Sequence, residues 1–154
     1  MKKALVFAAL LGLYLAQPPL LLPHCEIPCG IYDDHLRSHL IEEHIATIEK
    51  SMKQIVELSA AGEKNYNQIV RWVVNKEEHA DELQHVVSQY FLHQRIKPVD
   101  PTDAAQYKDY LHKLELLHRM LVAAMKAKQG TDLAQVDDLR RLLKEFNLAY
   151  FGEQ

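Results

Sequence analysis

The chain has 154 residues, 48 % of them apolar and 25 % charged, with two cysteines and a formal net charge of −3. That suits one domain with its own core and is too apolar for disorder. Its 18 Lys and Arg are outnumbered by 21 Asp and Glu, and no basic run exceeds two residues, so the sequence offers no footprint for nucleic acid.

The amino end opens with Lys2-Lys3 and the apolar run from Ala4 to Ala16, the charge-then-apolar order of an export signal and too short to span a membrane permanently. The proline-broken stretch Gln17-Pro18-Pro19-Leu20-Leu21-Leu22-Pro23 follows. Two cleavage points are open, one after Ala16 and one between Pro23 and His24. Residues 1–23 are read as a leader or propeptide that is removed, residues 24–32 as a separate irregular segment, and residues 33–154 as a helical body, so that 24–154 form one mature domain. Losing Lys2 and Lys3 would deepen the charge of −3 by two. The leader suggests an exported or periplasmic protein with no stable membrane insertion after processing; the alternative is a cytoplasmic protein whose propeptide is removed there.

Four helices are predicted after that. Over Asp33 to about Ala61, Ile41, Ile45, Ile48, Met52 and Ile55 recur at steps of three and four, with Asp33 or Asp34 as N-cap and Gly62 as the stop. A second helix over about Asn65 to His93 places Ile69, Val73, Ala80, Leu83, Val87 and Tyr90 on one stripe, opens with Asn65 and Gln68 spaced as a capping box, and ends by Lys97-Pro98. Asp100-Pro101-Thr102-Asp103 opens a third, with Pro101 at its first position and Tyr107, Leu111, Leu114, Leu121 and Met125 as its seam up to Gly130. Thr131 starts a fourth, with Leu133, Val136, Leu139, Leu143 and Phe146 facing inward and Gly152 near its end. No segment alternates with period two, so no strand is predicted. The expected fold is all-α: an antiparallel up-down-up-down four-helix bundle preceded by an irregular N-terminal hook.

Both cysteines of the chain fall in His24-Cys25-Glu26-Ile27-Pro28-Cys29-Gly30-Ile31-Tyr32. One reading is a Cys25–Cys29 disulfide, as expected of an exported protein. So local a bridge would remove little chain entropy and would staple nothing to the body. The other reading begins with His24 as a free N-terminus. Its α-amine, the amide nitrogen of Cys25 and the Cys25 thiolate can then close fused chelate rings that prefer a plane, with Cys29 as a fourth corner. Two nitrogens and two thiolates in a plane disfavour tetrahedral zinc and favour nickel(II) or copper(II); thiolates reduce copper(II), which tips the choice to nickel. The His24 imidazole stands ready as an axial ligand. Pro28 restricts the backbone between the sulfurs, and Gly30 permits a conformation closed to other residues.

His24-Cys25-x-x-Pro28-Cys29-Gly30-x-Tyr32 resembles the hook motif of the nickel-containing superoxide dismutase family. The likeness extends to Ile31-Tyr32-Asp33-Asp34-His35, to Asn75-Lys76-Glu77-Glu78-His79-Ala80, and to Gln89-Tyr90-Phe91 through Arg95-Ile96-Lys97-Pro98. The resemblance implies a four-helix bundle assembled as a homohexamer, a maturation protease that frees the His24 amine, one nickel ion per subunit, and superoxide as substrate. It implies metal ligation by His24 through amine and imidazole, by Cys25 through amide nitrogen and sulfur, and by Cys29 through sulfur. Tyr32 would order water and restrict access. His79 falls where the family's second helix assists the axial imidazole; the family's first-helix glutamate lands by simple offset on Leu40, with Glu42 and Glu43 nearby. Arg95 and Lys97 are candidates for local steering of the anion.

Other readings use the same helices. Glu82-x-x-His85 and Glu115-x-x-His118 spell the Glu-x-x-His of di-iron bundles, but Leu83 belongs to a buried seam and turns Glu82 and His85 outward, leaving only His118 to point inward. His35 and His39 form a possible i,i+4 metal clip, for which a solvated face is the simpler view. No nucleophile elbow, phosphate loop or His-Glu-x-x-His is present. The runner-up function is a non-enzymatic exported helical metal-binding or interaction module with a disulfide hook.

Overall fold

The computed structural model describes residues 33–61 and 64–152. The hook, the leader and Gly62 lie outside them. Among the described residues there are four helices and no strand: α1 (Asp34–Ala60), α2 (Tyr66–His85), α3 (Ala104–Lys128) and α4 (Ala134–Phe151), with α2 running straight into a π-helical segment, Val86–Arg95. None of these helices is long and apolar enough to cross a membrane.

The hydrogen bonds between helices give their directions. Asn75 donates to Ser51 at 2.9 Å and His44 meets His79, so α1 and α2 run antiparallel. Gln84 donates to Leu121 O at 3.0 Å while Lys76 reaches the end of α3, which makes α2 and α3 antiparallel. Ser38 donates to Asn147 at 2.7 Å and Arg140 pairs with Glu49, so α4 returns antiparallel along α1 and closes the ring.

Asp33 is the α1 N-cap, its carboxylate accepting from the backbone N–H of His35 and Leu36. Ile41, Ile45, Ile48 and Met52 are buried as expected. In α2, Ala80 and Leu83 are buried, and Val87 and Tyr90 continue the stripe within the π segment; Val73 departs from it at 37 % exposure. Asn65 makes no side-chain capping bond, so the expected capping box does not form. The continuous α-helix predicted to His93 is instead α-helical only to His85 and π-helical to Arg95. The π segment carries Phe91 onto α4, edge-on to Phe146 at 4.9 Å and to Tyr150 at 5.6 Å.

The third helix begins at Ala104 with Asp103 as its cap, so Pro101 precedes the helix and does not occupy its first position; Asp100 instead closes a turn through Thr102. Its expected seam is also corrected. Leu111 is 46 % and Met125 43 % exposed, while the buried face is Leu116, Leu117, Met120, Ala123, Ala124 and Ala127. The contact stripe runs through alanines, which a reading that follows bulky apolar residues passes over. The fourth helix starts at Ala134, where Asp132 accepts from its N–H. Leu133 is partly exposed, whereas Val136, Leu139, Leu142, Leu143 and Phe146 are buried. Gly152 ends α4 with φ +86°, a conformation that favours glycine.

Lys76 supplies an unexpected cap. It is 3 % exposed, and its ammonium donates to Ala127 O (3.0 Å), Lys128 O (2.6 Å) and Gly130 O (3.0 Å). A cation with three donors thus satisfies carbonyls at the carboxyl end of α3, where the helix dipole is negative.

Candidate metal centre and its surroundings

His24, Cys25, Pro28, Cys29, Gly30 and Tyr32 lie outside the described residues, so the body that carries them is what the structure describes. The chain reaches that body at Asp33 and Asp34. The Asp34 carboxylate is engaged by two other elements: Tyr90 OH donates to one oxygen, with Arg95 Nε paired ionically to that oxygen at 2.7 Å, and Tyr150 OH donates to the other at 2.8 Å. Arg95 also donates to Tyr90 OH at 2.8 Å, and the Arg37 and Arg95 guanidiniums lie 5.3 and 4.9 Å from the Tyr90 ring centroid. Burial works to raise the Asp34 carboxyl, but the two phenols and Arg95 outweigh it and hold the group below the ordinary carboxylate range. The same burial and the Asp34 charge push both phenols upward, Tyr150 furthest. Arg95 is therefore an ion-pair partner of Asp34 and not a free cation for steering, and Lys97 is likewise not without a partner.

Farther along α1, His44 and His79 meet Nδ1 to Nδ1 at 2.9 Å with their rings tilted 57°. Each residue directly precedes a buried seam residue, Ile45 and Ala80, so both project from the flanks along which α1 and α2 face one another. His79 is thus half-buried and paired, not an exposed helical histidine. His44 was not singled out from the sequence; the available signal was two seam-flanking histidines at similar height above the α1–α2 connection. Burial and the neighbouring His79 push the His44 pKa down, against an upward pull from Glu82 and Glu43. Glu42 and Glu43 are exposed, and Glu42 lines a groove with α4, on a different flank from His79.

That groove, about 640 Å³, runs between the start of α1 and the end of α4 and presents His35, His39, Glu42, Lys144 and Leu148. His35 stacks on Phe151 at 4.0 Å, and among the described residues His35 and His39 belong to no group of three or more His, Cys, Asp or Glu placed to hold a metal ion. Glu82, His85, Glu115 and His118 are all exposed, which corrects the expectation that His118 points inward. Among the described residues no group of three or more His, Cys, Asp or Glu is placed to hold a metal ion, so the di-iron reading fails.

The described residues are a helical body without a metal-ligating cluster, and both cysteines of the chain precede that body in the sequence. The family model for nickel-containing superoxide dismutase matches residues 21–154, nearly the whole chain with both cysteines included, and the chain belongs to this family. It is an oxidoreductase, and nickel is its cofactor. No curated protein and no solved structure matches the chain.

Proposed function

We propose that the chain, once residues 1–23 are removed, converts two superoxide ions and two protons into dioxygen and hydrogen peroxide. The observation that carries this reading is the family match across residues 21–154 with His24-Cys25-x-x-Pro28-Cys29-Gly30-x-Tyr32 inside it. The donor set fits the metal: two thiolates, an ionised amide and a primary amine would hold nickel, and their negative charge would lower a potential that aqueous nickel places too high. Nickel bound there supplies a one-electron Ni(II)/Ni(III) couple.

The chain's own residues do the rest. His24 would hold the metal through its freed amine and its imidazole, Cys25 through amide nitrogen and sulfur, and Cys29 through sulfur. Pro28 and Gly30 shape the loop between and after the sulfurs. Tyr32 orders water and limits access to small ligands, and backbone N–H groups of the hook hold the anion. His79 orients the His24 imidazole, with His44 in place of the expected first-helix carboxylate: the two Nδ1 atoms share one proton in a hydrogen bond, which holds the His79 ring in place. The active form is a four-helix bundle behind this hook, assembled as a homohexamer after a protease has cut before His24, in an exported, periplasmic or cytoplasmic setting. The match begins at residue 21 and leaves residues 1–20 outside it, which supports a removable leader.

Mass spectrometry of the native mature chain tests this. A first residue His24 with one nickel per chain is expected. Cys25 and Cys29 oxidised to each other with no metal would return the chain to the interaction-module reading.

A further inference from the structure

The helices are already fixed by their core, yet a second network is built at the one point where the hook joins the body. Asp34 is the first residue of α1, two residues beyond Tyr32 and five beyond Cys29. Both of its oxygens are taken, by Tyr90 and Arg95 of the π segment and by Tyr150 of α4. Asp33 is engaged as well, capping His35 and Leu36. Two successive residues at the root of the hook are therefore pinned, one to its own helix and one to two others.

The π segment makes the second pin possible. In an α-helix, residues five apart point roughly 140° away from each other. Here Tyr90 and Arg95 share one side: Arg95 donates to the Tyr90 hydroxyl, and both reach Asp34. A π-helical stretch is rarer than an α-helix and is frequent at functional sites. This one ends at the carboxylate that follows the hook after a single capping residue. Five residues of chain reach at most about 18 Å, so Cys29 stays within that distance of Asp34.

We propose that Asp34 is a positioning residue for the metal hook, and that Tyr90, Tyr150 and Arg95 hold it so that the hook leaves α1 in one fixed direction. This rests on the nickel dismutase reading. The cluster orders the support of the ligands in advance, so less freedom is lost when the metal binds. Arg37, stacked on the Tyr90 ring from α1, stiffens the same support.

The test compares chains beginning at His24: wild type, Asp34→Asn, and Tyr150→Phe, which removes one hydroxyl and leaves the α4 aromatic packing. Nickel affinity is read by competition with a chelator, the thiolate-to-nickel absorption bands are recorded, and far-UV helicity and Tm are followed on the same samples. Nickel affinity is expected to fall on the order of ten-fold in Asp34→Asn, and by less in Tyr150→Phe, with altered absorption bands and unchanged helicity at 25 °C. Variants that lose only Tm, with wild-type affinity and bands, would show the cluster to be a structural lock and overturn the proposal. A wild-type chain that fails to bind nickel would bring down the functional reading and this inference together.

Discussion

His44 and His79 meet across α1 and α2 with their Nδ1 atoms 2.9 Å apart, a contact in which one ring must donate and the other accept. It requires that the accepting Nδ1 stay unprotonated. Burial and His79 hold the His44 pKa below 6.5, so between 6.5 and that lower value the unfolded chain binds a proton that the folded chain resists. Stability is accordingly full above pH 6.5 and declines as pH falls through that window. Urea midpoints between pH 5 and 8 should show this decline in wild type and a flatter profile in His44→Gln, each kcal/mol corresponding to roughly 2–4 °C in Tm. Parallel profiles would mean that the pair is not the titrating element.

Lys76 is buried among three carbonyls and carries no catalytic role in this account. Lys76→Met keeps most of its volume but leaves those carbonyls without a donor. A loss of about 2–4 kcal/mol in urea unfolding is expected, with nickel binding retained in the folded fraction. An unchanged midpoint would mean that water caps α3 equally well.

The seam of α3 gives a paired prediction. Ala124 is fully buried, whereas Leu111 and Met125 are largely exposed. Ala124→Leu should overpack the core and cost about 1–3 kcal/mol, while Leu111→Ala should stay within about 0.5 kcal/mol of wild type. The opposite ranking would restore the seam expected from the bulky residues.

Much of the body was legible because one strong period governs it. The α1 stripe from Ile41 to Met52, the Asp33 cap and the inward face of α4 all follow from spacing and capping chemistry. The α3 face was not, because alanines carry it and their burial is set by how near a neighbouring helix comes, a tertiary quantity. The π segment was hidden for a related reason. Gln89-Tyr90-Phe91 has no local signal for five-residue spacing; the segment is instead tied down by Asp34, fifty-six positions away from Tyr90. At the candidate site, the donors His24, Cys25 and Cys29 are a matter of residue type and order, which a sequence displays directly. Their helpers are a matter of helix facing: His79 was visible through family likeness, His44 only through the partner it meets.

Cys25→Ser and Cys29→Ser each remove one of two thiolates, and both positions precede the described helices in the sequence. Nickel-dependent turnover should disappear in either variant while far-UV helicity stays near wild type. Turnover retained by one of them would rule out the two-sulfur donor set. One additional residue before His24 should have a comparable effect, since it converts the primary amine into an amide; undiminished turnover of such a chain would remove the amine from the ligand set.

The most direct measurement is the stopped-flow decay of superoxide in the presence of chain beginning at His24 and reconstituted with nickel. The account predicts catalytic decay whose rate rises in proportion to bound nickel and vanishes in the apo chain. Decay no faster than in buffer, from protein that carries its full complement of nickel, would contradict it.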